Sequence, residues 1–286
     1  MSVRQAIFAE DTRVVLARYR RALIKPWPVR LAEIMVSTGV LGLALFSLWW
    51  LGISFRQLGS GLAELGKFLG LMLPPSTGGH LWLFVKAMSE TLAIAFLGTL
   101  IAAIVAAPLA LLAAKNTTPS PVLRFLIRRF LDCLRGIDTL IWALVFVGTV
   151  GLGPFAGVLA IAVSDTGSFG KLFSEAIEAT QKRERETVIA CGGGPWISIR
   201  FGLLPQVLPI IAGQILYFFE SNTRSATIIG IVGAGGIGLQ LSEQIRTYDF
   251  DRVAFIVLMI LAVVAVIDWI SGKLRFAIIG RRQALA

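Results

Sequence analysis

Three groups of residues in this 286-residue chain have types and spacings that chemistry uses. GAGGIG at Gly233–Gly238 matches the dinucleotide fingerprint letter for letter, the pattern in which a glycine turn lets backbone approach a pyrophosphate. GLAELGKF at Gly61–Phe68 has the glycine and lysine spacing of a phosphate-cradling P-loop. FESNTRSAT places Glu220, Asn222, Arg224 and Ser225 together. An arginine with neutral hydrogen-bonding neighbours is the side-chain set that holds an oxyanion. A metal centre is not expected, because His80 is the single histidine and Cys133 and Cys191 have no metal or redox spacing. No cofactor is expected.

The elements around these residues decide what they can do. A dinucleotide fingerprint works inside a strand–helix–strand unit, with an acid about 20 residues on. Residues 223–250 must also connect two apolar spans, so the glycines read instead as left-handed or closely packed backbone in a membrane bundle. In the P-loop look-alike, Phe68 stands where the magnesium-binding Ser or Thr belongs, and the segment falls on the outer side, away from cytoplasmic ATP. The chain is therefore not expected to bind nucleotide itself. For Arg224 two readings stay open: contact with an anionic substrate, or pairing with Glu220 four residues before it. Asp165 lies inside a span, while Asp138 and Asp268 lie near predicted span ends.

Composition names the solvent. Hydrophobic residues make up 56% of the chain and charged ones 15%, and the mean hydropathy is +0.79. Soluble domains carry about 25% charged residues, so an ordinary soluble enzyme is excluded and the lipid bilayer is the expected surroundings. The chain reads as an all-α integral membrane protein with about six transmembrane helices, since runs of about 20 apolar residues cross about 30 Å of hydrocarbon. The spans are expected at 34–53, 91–114, 136–150, 154–176, 201–219 and 253–270, with Ser89 as a cap for the second. Gly148, Gly151, Gly153 and Pro154 divide the third from the fourth. Phe68–Val85, broken by Pro74, Pro75, Gly78 and Gly79, is expected to be a loop or a partly embedded hairpin. No signal peptide is expected, because the N-terminus is polar and arginine-bearing.

Basic residues fix the orientation. With both termini cytoplasmic, the inner segments hold 21 of the 27 Lys and Arg, as the positive-inside rule requires. This distribution also removes nucleic acid as a partner, which would need a basic face on a soluble domain.

One cytoplasmic stretch remains, ERETVIACGGGPWISIRFGLLPQVLP at Glu184–Pro209. Its order predicts a short helix, a turn at Gly192–Gly194 and a second helix beginning near Pro195, a residue favoured at a helix's first position. Such a pair across the cytoplasmic face is a docking surface.

The stretch resembles the cytoplasmic loop of the membrane subunits of binding-protein-dependent ABC importers. Glu186, Gly192, Leu204 and Pro205 hold the family's spaced Glu, Gly and Leu-Pro positions. Thr187 and Val188 replace two alanines, and Gly202 stands where isoleucine is usual. Residues 91–114 resemble the family's first core helix, and 203–241 the phosphonate-type permeases. The resemblance implies an ABC type I importer (MetI-like) permease fold. It divides the chain into a cytoplasmic tail (1–30), a first helix with an outer loop (31–84), a core domain (85–275) whose coupling loop is 177–202, and a C-terminal tail (276–286). It implies that the chain and a second copy of it form the path by which phosphonate or phosphate is imported across the cytoplasmic membrane at the cost of ATP, that a cytoplasmic ABC ATPase pair grips the loop, and that an extracytoplasmic phosphonate- or phosphate-binding protein delivers substrate to the path. Glu186 would cap or ion-pair, Gly192 would make the turn, and Trp196–Phe201 would pack on the ATPase. The chain itself would catalyse nothing.

Two other classes fit less well. A membrane-embedded enzyme needs a cluster of His, Asp, Glu or Cys at one depth, and the acids here are scattered. A self-sufficient secondary transporter of a small anion is expected to show internal repeats with paired broken helices, and no convincing repeat is present.

Overall fold

The computed structural model describes residues 27–52 and 55–283. Most of the expected tail, 1–26, lies outside them. By packing the chain divides into residues 1–69 and 70–286, and each unit has its own logic. In the first, α1 (Trp27–Trp50) is 24 residues of nearly unbroken apolar sequence. At 1.5 Å per residue it measures about 36 Å, enough to cross a bilayer. It starts before the expected tail ends. α2 (Phe55–Leu71) was expected as outer loop. Its leucines at 58, 62, 65 and 69 repeat with helical period, which makes an amphipathic helix of this segment. Gly61, Gly66 and Lys67 are interior to that helix, so the P-loop spacing builds no loop.

The second unit is built from helices and their connections, without a strand among the described residues. α3 (Leu81–Ala113) runs 33 residues, about 50 Å. It begins ten residues before Thr91, so Ser89 is not a cap: its hydroxyl donates to the Lys86 carbonyl at 2.7 Å inside the helix. The broken segment Phe68–Val85 is a helix end, a loop and the first turn of α3 rather than a hairpin. Ser76 ties that loop to the start of the last helix, its hydroxyl donating to Asp251 Oδ2 at 2.8 Å.

The expected third span is shorter than a bilayer. α5 (Thr139–Val150) is 12 residues, about 18 Å. α4 (Pro121–Arg135), in the segment expected on the cytoplasmic side, precedes it. Together they run antiparallel to α6 (Pro154–Glu178). Arg128 pairs with Glu178 at 2.7 Å, Leu131 packs on Gly170, and Thr139 donates to Ser164 at 3.0 Å. The joint lies at Gly136–Asp138, where the Asp138 carboxylate caps α5 by accepting from the Leu140 amide at 2.8 Å.

α6 is the centre of the fold, with 16 of its 25 residues buried. It packs on α3 through small residues. Ala95, Ala102 and Ala106 are fully buried, and a Cβ on Gly98 would lie 2.7 Å from Ile161. In lipid no hydrophobic force drives helices together, so this close backbone approach and its dispersion contacts take over. α7 (Lys182–Ala190) and α8 (Pro195–Ser198) follow α6, and a π-helical turn, Ile199–Leu203, leads into α9 (Leu204–Ile229). A second π turn, Gly230–Ala234, separates α9 from α10 (Ile237–Arg246). The GAGGIG glycines lie at this break. Gly236 has φ +73°, and the Ile237 amide donates to Thr91 Oγ1 of α3 at 2.8 Å. The glycines thus serve tight packing within the bundle. α11 (Phe250–Gln283) continues 13 residues past the expected end of the last span.

Candidate functional site

The hairpin that follows α6 forms as the sequence requires. α7 ends in a turn where Gly192 takes φ +85°, conformationally open to glycine and costly for a side chain. The Gly192 amide donates to Ile189 O at 2.9 Å and the Gly193 amide to Val188 O at 3.0 Å. Gly193 is needed for a different reason: a Cβ there would sit 2.7 Å from Val188 O. α8 then presents Trp196, 80% exposed, beside exposed Ile197 and Phe201. Glu186, Leu204 and Pro205 are exposed on the same segment. Pro205 has no amide to offer and its ring would press on the carbonyl of residue 201. The wider π turn relieves this, closed by the Leu204 amide donating to Ile199 O.

Behind the hairpin lies a hub that sequence reasoning missed. Arg185 of α7 turns back and donates through Nη1 to the Asn116 carbonyl, in the loop after α3. Asn116 Nδ2 donates to Ile177 O at 3.2 Å at the end of α6. Glu178 Oε1 accepts from the Lys115 amide and from Arg128, each at 2.7 Å, and Arg128 Nε caps α3 by donating to Ala113 O at 3.0 Å. The ends of α3, α6 and α7 and the body of α4 meet here. Gly202 admits α7 to the hub, since a Cβ there would be 3.0 Å from Arg185 Cα. Its departure from the usual isoleucine is thereby accounted for.

The other predicted residues occupy one turn of α9, on two faces. Asn222 is buried and donates to Thr99 Oγ1 at 2.8 Å and to Asp165 Oδ2 at 2.5 Å. This clamp joins α9 to α3 and α6. Glu220 and Arg224 are each two residues from Asn222, hence roughly 160° away around the helix. They face α11. Arg224 reaches Glu220 at 3.8 Å and Asp268 at 3.5 Å, while Glu220 is held at 2.5 Å by Arg275. The pairing reading of Arg224 is therefore half of the geometry, because Arg275 is the tighter partner. Ser225 is half-buried, its hydroxyl donating to Ser221 O at 3.4 Å.

Arg275 was hidden because it lies past the last apolar run, at the last position of the expected core domain. Its signal was spacing: Asp268 and Arg275 are seven residues apart, two helical turns, on one face of α11. Thr99, which Asn222 meets, lies 18 residues from one end of α3 and 14 from the other, about 27 and 21 Å. Of the four charged side chains Glu220 is 13% exposed and Arg224 47%. Insertion scales put a lone charge at the centre of a span at roughly 2.5–3.5 kcal/mol, so charges within a span meet a partner or a water-filled cavity.

Residues 106–279 match the family model described as binding-protein-dependent transport system inner membrane component. The chain belongs to this family. The permease is 35% identical over 273 residues to the phosphite transport system permease protein PtxC of Stutzerimonas stutzeri, covering 95% of this chain and 96% of the relative. It is 39% identical over 204 residues to the phosphate-import permease protein PhnE of Mycolicibacterium smegmatis, covering 71% of this chain and 38% of that protein. Its fold is that of MetNI, a methionine ABC transporter solved in inward-facing conformations, with a TM-score of 0.63 at 20% identity over 71% of this chain and 99% of the other. An ABC permease fold of α-helices, expected from the sequence, is the fold observed.

Proposed function

We propose that this permease forms the membrane path of an ATP-driven importer for a small phosphorus oxyanion, and that a separate ATPase drives it by gripping the α7–α8 hairpin. Phosphite, phosphonate and phosphate share a phosphorus atom bearing several anionic oxygens, and the names of its relatives point to this class. The observation that carries the reading is Trp196. A side chain of that size, 80% exposed beside Ile197 and Phe201 on an otherwise polar hairpin, is what an interface core needs and what water disfavours. Glu186 and Gly192 shape the hairpin, and Leu204 and Pro205 carry its movement into α9.

Within the membrane, Arg224 is the group for an oxyanion to meet, with Ser225 beside it and Glu220 behind. Asn222 supports them by holding α9 to α3 and α6. The chain works as a pair with a second copy, receives substrate from an extracytoplasmic binding protein, hydrolyses nothing itself and keeps both termini in the cytoplasm.

The test is gentle extraction of the tagged permease from its membrane, identification of what co-purifies, and an ATPase assay of the sample. A stoichiometric ATPase whose hydrolysis rises with phosphite, phosphonate or phosphate is expected. A permease that purifies alone, transports on an ion gradient and shows no ATPase partner would overturn the reading.

A further inference from the structure

The four charged side chains between α9 and α11 are not equivalent. Glu220 is the least exposed, at 13%, and has two candidate cations. Arg275 holds it at 2.5 Å, a short charge-assisted contact, whereas Arg224 stands off at 3.8 Å. Arg224 is also loosely placed against Asp268, at 3.5 Å from both carboxylate oxygens. It is the most exposed of the four, and its contacts lie at or beyond the limit of a good hydrogen bond.

We infer that Arg275 is a positioning residue: by occupying Glu220 it keeps Arg224 free to receive an oxyanion. Without Arg275, the nearest cation to a carboxylate almost removed from solvent is Arg224, one helical turn along the same face. An uncompensated charge so far withdrawn from solvent is costly, so Arg224 would close onto Glu220 and its donors would no longer face the path. The Arg275 side chain is well placed to stay where it is, because its guanidinium also lies 5.8 Å from the centre of the Tyr217 ring on α9. The inference rests on the reading of Arg224 given above and adds to it the group that makes Arg224 available.

The experiment is a double-mutant cycle on the whole importer, purified with its ATPase and binding protein, reconstituted in vesicles and assayed for ATP-driven uptake of phosphite, with inorganic phosphate as a second probe. Arg275→Ala should reduce uptake at least about tenfold, as expected for losing a contact of this class. In a Glu220→Gln background the same Arg275→Ala change should reduce it by less than about twofold, because the amide no longer captures Arg224. An equal loss in both backgrounds would show that Arg275 acts on substrate or structure directly and would overturn the inference. Arg275→Ala with normal uptake would overturn it as well. If the single variant fails to accumulate, the comparison of Glu220→Gln with Glu220→Gln/Arg275→Ala still decides: a large loss between those two is fatal. Arg224→Ala separates the two claims. Normal uptake in that variant removes the path reading itself, whereas low uptake together with equal losses in the cycle removes only the role of Arg275.

Discussion

Arg185 and Gly202 are packed backbone to backbone: a Cβ built on Gly202 would lie 3.0 Å from Arg185 Cα and 3.3 Å from the Glu184 carbonyl. The hairpin proposed to meet the ATPase is thereby set directly against the π turn that leads into α9. Gly202→Ile, which installs the family's usual residue, should lift α7 away and break the Arg185 contact to Asn116. ATP hydrolysis by the reconstituted complex should then continue while uptake per ATP falls about tenfold or more, the scale of one lost charge-assisted hydrogen bond. Measuring both rates on one vesicle preparation checks this, and an unchanged ratio rejects it.

Gly192→Val places a β-branched residue at φ +85°. The strain, on the order of 1–3 kcal/mol, is comparable with the stability of a nine-residue helix and its turn. Membrane insertion should be normal and ATPase co-purification should drop severalfold. A complex of wild-type stoichiometry and activity would mean that the hairpin does not make the contact.

Arg224→Ala should lower phosphite uptake without loss of ATPase from the purified complex. Arg224→Lys should recover only part of it, because an ammonium lacks the planar fork that meets two oxygens at once. Full activity in the alanine variant would return Arg224 to a purely structural role.

Asn222→Leu removes the donor shared by Asp165 and Thr99. The Asp165 carboxyl is then left in the core without its amide, at a cost of about 1.5–3 kcal/mol. Thermal unfolding in detergent should shift down by several degrees. Asn222→Gln is a useful second variant, since it keeps the amide on a longer arm. If Asn222→Leu melts like the wild type, the clamp contributes nothing to holding α9 in place.

Gly98→Val would drive a side chain into Ile161, whose Cβ is already 2.7 Å from the added atom. Overpacking of this kind costs about 1–3 kcal/mol. The expected result is lower accumulation in the membrane and a lower melting temperature, read by fluorescence-detected size exclusion. Normal accumulation would show that α3 and α6 can separate at this level.

What the sequence made legible was whatever depends on near neighbours. The Gly192 turn and the helix beginning at Pro195 follow from local backbone preference, and the apolar runs follow from the bilayer's thickness. The long-range partners were not legible. Arg275 drew no notice because hydropathy counts charges and does not see the carboxylate waiting on α9. α4 hides its packing for the same reason: its arginines at 124, 128, 129 and 135 conceal that Leu131 seats against Gly167 and Gly170 of α6. Asn222 was placed among the path residues, and only the packing of three helices shows that it faces inward while Arg224 does not.

The shortness of α5 has a consequence for what anchors it. A 12-residue segment is too short to halt in a bilayer by its own hydropathy. Its hold is its partner: α5 lies antiparallel to α6 across the turn at Gly151–Pro154, with Thr139 donating to Ser164 at 3.0 Å, so whatever displaces α6 displaces α5 with it.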